Sequence, residues 1–142
     1  MRRADLDKYI QKHGLLDEVE NKPGIYAITV DDKIVYVGQS KWAHSRLSDH
    51  IYNIQNGMLV EDYKYKLLLA AKLGGHKIRF KILEYCEQEK LLEVEKQHIS
   101  EHKPLLNVIT PYGMQNIEML KVEHLLGVEP PKGYLALVVQ EV

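Results

Sequence analysis

Four side chains suited to acid–base and anion chemistry fall in one stretch, Pro23 to His50, which reads PGIYAITVDDKIVYVGQSKWAHSRLSDH. Arg46 carries a planar guanidinium fork that takes two phosphate oxygens at once and stays charged at any working pH. His50 follows four residues later, so the two share one face of a helix. Its imidazole titrates near neutrality, which suits it to relay a proton or contact a phosphate. Tyr26 and Tyr36 add two phenols on neighbouring apolar runs. An unperturbed phenol ionises near pH ~10, so either needs a nearby cation before it acts as a base.

These groups need a scaffold, and the sequence predicts one. The runs Ile25 to Val30 and Ile34 to Val37 flank Asp31-Asp32-Lys33, the pattern of a hairpin. Gly38 is expected to end the second strand, where a side chain would obstruct close approach of backbone or substrate. Trp42, Leu47, Ile51 and Ile54 recur at helical spacing from Lys41 to Gln55, and Asn56-Gly57 stops that helix. After a connector from Met58 to Tyr63 comes a helix over Tyr65 to Leu73, ended by Gly74-Gly75. Lys77 to Tyr85 alternates apolar and cationic residues as a strand does. Gln88 to His102 reads as a long helix that Pro104 stops, and Ala4 to His13 as an N-terminal helix stopped near Gly14. The fold class is α+β, a small three-stranded antiparallel sheet flanked by helices.

Gly24-Ile25-Tyr26 followed by Tyr36-Val37-Gly38 resembles the paired motif that names the GIY-YIG endonucleases, and Arg46 falls at the family's catalytic arginine. The likeness continues to Glu95, which resembles the family's metal-binding glutamate, and to Pro104-Leu-Leu-Asn107, which resembles the motif closing the domain. The resemblance implies a GIY-YIG fold and a metal-dependent DNA endonuclease. Its catalytic residues would be Tyr26, Tyr36, Arg46, His50 and Glu95. Glu95 would hold one Mg²⁺ or Mn²⁺, an ion that accepts a single protein carboxylate and fills its shell with water and substrate. Tyr26 is the water activator in this scheme, Tyr36 orients water or phosphate, and Gly38, Gln39, Lys41 and Asn107 border the substrate, Asn107 chiefly as a structural amide. Some relatives carry a lysine where this chain has Gln39, which removes a cation that would favour phenolate; Lys41 is the nearest substitute.

The remaining features bound this reading. At 142 residues, 45% hydrophobic and 27% charged, the chain has the content of a single globular domain. The lone Cys86 excludes an internal disulfide and cannot make a structural zinc site, and no apolar run is long enough to span a membrane. A cytoplasmic location is expected. The net charge of -1 is low for a nucleic-acid binder, but residues 33 to 81 hold nine basic and three acidic groups, which places a cationic face on the proposed active region. His98 and His102 are four apart without the further constellation of a zinc protease, so they are assigned to a helix surface.

Three divisions are expected: an N-terminal helical segment (1–22) packed on the core, the nuclease domain (23–109), and a C-terminal extension (110–142). The extension should hold a helix over Gln115 to Leu126 and a strand over Tyr134 to Val139. A lone site cuts one strand per engagement, so double-strand cleavage needs two subunits or sequential nicks; a homodimer or a protein partner is expected as a possibility. The competing class is a nucleic-acid-binding or adaptor module that keeps the fold with little catalysis. Sequence-specific restriction is a further possibility, with no residue pattern here that encodes base recognition.

Overall fold

The computed structural model describes residues 2–58 and 63–108. The C-terminal extension and most of the Met58 to Tyr63 connector lie outside the described residues. In order come α1 (Arg3–His13), β1 (Gly24–Val30), β2 (Lys33–Ser40), α2 (Ala43–Gln55), α3 (Tyr63–Leu73), β3 (Ile78–Tyr85), a 3₁₀ turn (Gln88–Lys90), α4 (Leu91–His102) and α5 (Leu105–Val108).

The three strands form one antiparallel sheet in the order β2-β1-β3. Helices cover both faces of the central strand, so β1 is buried at every position. Tyr26, Ile28 and Val30 face a core built with Leu6 and Ile10 of α1, Leu47, Ile51 and Ile54 of α2, and Leu67, Leu68 and Ala71 of α3. Ile25 points the other way and, with Val37 of β2, meets Leu91 and Val94 of α4. Alternation along a strand thus sends the GIY tyrosine to one helical layer and its neighbour to the other.

The hairpin turn is two residues long. Asp31 and Asp32 both take positive φ, 49° and 69°, the backbone that matches strand twist in tight hairpins and that aspartate tolerates better than most residues. The Asp31 carboxylate accepts from His76 Nδ1 at 2.6 Å and from the Lys77 amide at 3.0 Å, which pins the turn to the start of β3. A register shift between Ile28 and Thr29 interrupts the β1–β2 ladder.

Several boundaries differ from the sequence expectation. Gly38 lies inside β2, because β1 extends back to Gly24 and keeps the ladder paired as far as Ser40. Trp42 is the residue before α2 and is 61% exposed, so its helical spacing with Leu47 does not make it a core residue. The helix expected from Gln88 begins with a 3₁₀ turn and becomes α-helical at Leu91. Lys103, at φ 46°, ends α4 one residue before Pro104.

Candidate functional site

The β1–β2 register sets Tyr26 opposite Gly38 and Ile28 opposite Tyr36, which brings both phenols to the layer of α1, α2 and α3. Their rings lie 6.3 Å apart. A Cβ on Gly38 would sit 2.5 Å from Cζ of Tyr26. The glycine therefore makes room for the phenol to cross β2.

Helix α2 supplies the next two groups, one turn apart as the sequence spacing requires. Arg46 is exposed, and its guanidinium interacts with the Tyr26 phenol, favouring the ionised form of each. His50 is 0% exposed, with Nε2 2.7 Å from the Tyr26 hydroxyl and Nδ1 2.7 Å from the hydroxyl of Tyr65 on α3. Asn53, on α2, donates to the same Tyr65 oxygen at 3.2 Å. A neutral imidazole donates from one nitrogen and accepts at the other, so a continuous hydrogen-bonded chain links Asn53, Tyr65, His50 and Tyr26, with the Arg46 charge acting on the Tyr26 end. The Lys64 ammonium stands over the rings of Tyr36 and Tyr65, 4.5 and 4.8 Å from their centroids.

The electrostatics follow from this packing. Tyr26 is 1% exposed, and burial together with the Tyr36 phenol holds its ionisation above the ordinary phenol value against the opposing pull of Arg46. Burial, reinforced by the charges of Lys64 and Arg46, pushes the His50 imidazole down to about 3. The resting cluster is therefore a neutral phenol hydrogen-bonded to a neutral imidazole.

Glu95 lies in the other layer. Gly38 faces Tyr26, so the next residue, Gln39, points through the sheet to α4, where its Nε2 stands 3.4 Å from Oε1 of the half-buried Glu95. Asn107 clamps the same strand: its Oδ1 accepts from the Val37 amide at 2.7 Å and its Nδ2 donates to the Val37 carbonyl at 2.6 Å. The residue pair Gly38-Gln39 thus connects the tyrosine side to the carboxylate side. No ion pair engages Glu95 among the described residues, and a single partly exposed carboxylate beside a neutral amide fits the sparse protein ligation that Mg²⁺ accepts.

Of the sequence-predicted residues, Tyr26, Tyr36, Gly38, Arg46 and His50 are gathered together, and Gln39 meets Glu95 across the sheet. Lys41 is exposed in the turn before α2. His50 is enclosed between two phenols, which rules out direct contact with a phosphate in this conformation. Sequence reasoning missed Tyr65, Lys64 and Asn53. Only the basic bias of residues 33 to 81 pointed toward Lys64, and Tyr65 looked like the first turn of an apolar helix.

The GIY-YIG catalytic-domain family matches residues 22–108. Among solved structures, the chain is similar to the GIY-YIG N-terminal endonuclease domain of UvrC from Thermotoga maritima. A point mutant of that domain bound to its catalytic divalent cation is 20% identical, with a TM-score of 0.45, covering 71% of this chain and 97% of that one. The magnesium-bound form is 19% identical, with a TM-score of 0.42, covering 70% and 97%. No curated protein matches. With the match spanning both tyrosine motifs, Arg46, Glu95 and Asn107, the chain belongs to the GIY-YIG family and carries its endonuclease domain.

Proposed function

We propose that the protein is a divalent-metal-dependent DNA endonuclease that hydrolyses one phosphodiester per engagement at the edge of β2. The observation that carries this reading is the buried Tyr26–His50 pair capped by the exposed Arg46, joined through Gly38-Gln39 to Glu95. The scissile phosphate takes the Arg46 fork, whose two parallel donors match two phosphoryl oxygens. Arg46 then relaxes its hold on the Tyr26 hydroxyl, and the phenol becomes available to a water.

Proton transfer from free Tyr26 to free His50 is strongly uphill, because burial opposes both resulting charges. A standing phenolate is therefore not part of the scheme. The water gives its proton to the Tyr26 oxygen as the Tyr26 proton passes to His50 Nε2, a path that requires the tautomer in which Nδ1–H donates to Tyr65. The bound phosphate offsets the positive charges of Lys64 and Arg46 that hold His50 neutral, so the imidazole accepts a proton more readily in the complex. Glu95 would hold the divalent ion, which when bound would supply Lewis-acid stabilisation of the phosphoryl and departing oxygens. Tyr36, whose ring lies beside those of Tyr26 and His50, orients the water or phosphate, with Lys64 over its ring as a cation where Gln39 replaces a lysine.

Nicking of a supercoiled plasmid with Mg²⁺ or Mn²⁺ tests this, using the natural protein beside Arg46→Ala and Glu95→Ala. Cleavage by the natural protein alone supports the reading. Equal cleavage by all three overturns it, and DNA binding without cleavage by any of them assigns the fold to an adaptor role.

A further inference from the structure

We propose that α4 carries a second cation site, selective for a borderline transition metal such as Zn²⁺ and built by His98, Glu101 and His102. One ligand atom from each of the three lies within 4.8 Å of the others. The spacing places all three on one helix face, since residues three and four apart are neighbours on a helical surface. The two imidazole rings are parallel, with centroids 5.7 Å apart and planes within 1°. Metal–ligand bonds of about 2.0–2.2 Å place tetrahedral ligands roughly 3.3 Å apart. Rotation of the exposed Glu101 and the half-buried His102 supplies the closure from the observed spacing.

A second observation singles out His98. Its Nε2 is 2.9 Å from Oε1 of Glu84 on β3, whereas its Nδ1 is buried with no hydrogen-bond partner among the described residues. Buried polar atoms of this kind call for an explanation such as an absent ion or water. A carboxylate that accepts the Nε2 proton leaves Nδ1 with a bare lone pair. That is the carboxylate–histidine arrangement that orients imidazoles toward metals. Imidazole donors favour Zn²⁺ and its neighbours, whereas Glu95, one turn earlier and without a histidine partner, suits the harder Mg²⁺. An ion held here ties the last turns of α4 together just before Lys103 and Pro104 redirect the chain to Asn107. Its role is to stabilise the helix that presents Glu95, and the site does not depend on the endonuclease reading.

Zn²⁺ titration by calorimetry tests the proposal, using full-length protein free of any histidine tag and an excess of Mg²⁺, with Co²⁺ absorption as a spectroscopic check. The expected result is one Zn²⁺ bound per chain at this site. His102→Ala should weaken binding at least tenfold with unchanged circular dichroism, and Glu84→Ala should weaken it about 10- to 100-fold. Glu95→Gln should leave it unaltered. The proposal is overturned if the natural protein takes up no Zn²⁺, if His98→Ala and His102→Ala bind it as the natural protein does, or if Glu95→Gln alone abolishes uptake.

Discussion

The two layers of the sheet hold their polar groups in opposite ways. On the tyrosine side, Tyr26, His50 and Tyr65 are buried and joined by hydrogen bonds of 2.7 Å. On the glutamate side, Glu95 is half-exposed, and among the described residues its side chain hydrogen-bonds to the Gln39 amide alone, at 3.4 Å. The contrast matches the two tasks proposed for these groups. A proton path needs fixed distances and a dry setting in which each hydrogen bond is strong, whereas a carboxylate that must capture a hydrated ion needs access and few competing donors. Preorganisation is thus concentrated on one side of β2 and openness on the other, with Gly38-Gln39 between them.

The largest effects should come from removing one charge from either side. Arg46→Ala should lower the plasmid-nicking rate by roughly 10² to 10³ while leaving the melting temperature nearly unchanged, because the side chain is exposed. Glu95→Ala should match it in rate. A Glu95→Ala protein that cuts normally would detach the open side from the chemistry.

Gly38→Ala should destabilise the fold by about 1–3 kcal/mol in urea unfolding, since the new methyl overpacks against Tyr26. Adding Tyr26→Ala should recover part of that loss; a strictly additive pair would show that the two residues do not press on each other.

The next effect is one of pH. His50 binds a proton near pH ~6.5 when unfolded but only at about 3 in the folded protein. The folded state therefore binds fewer protons between these values, and stability is full above the upper one and falls as pH drops toward the lower. The slope should approach roughly 1.4 kcal/mol per pH unit. His50→Asn should flatten it, and an unchanged slope would place the titration elsewhere.

Asn107→Ala should have the smallest effect, costing about 1 kcal/mol in chemical denaturation by leaving the Val37 amide and carbonyl without their clamp.

Much of this arrangement was legible because short-range periodicity encodes it. Arg46 and His50 share a face because a helix repeats every 3.6 residues. Tyr26 and Tyr36 were legible only as residues of neighbouring strands: the two-residue turn alone would set Tyr36 opposite Ala27, and the register shift after Ile28 is what turns it to the Tyr26 face. The family resemblance supplied Glu95, which no local pattern distinguishes from the other acidic residues of α4. Tyr65 and Lys64 were not legible: they reach the site from a third helix whose placement is set by tertiary packing of Leu67, Leu68 and Ala71. The burial that shifts Tyr26 and His50 in opposite directions was likewise invisible, because it depends on α1, α2 and α3 closing over the hairpin. Trp42 shows the converse error, a residue in phase with a helix that begins just after it.

The most direct test is a crystal structure with Mn²⁺ and an uncleavable phosphorothioate DNA. One anomalous manganese peak at Glu95, with the same phosphate held by Arg46, is the predicted result. A phosphate bound at Arg46 while the ion at Glu95 stands on the far side of β2, sharing no oxygen with it, would contradict a single composite site.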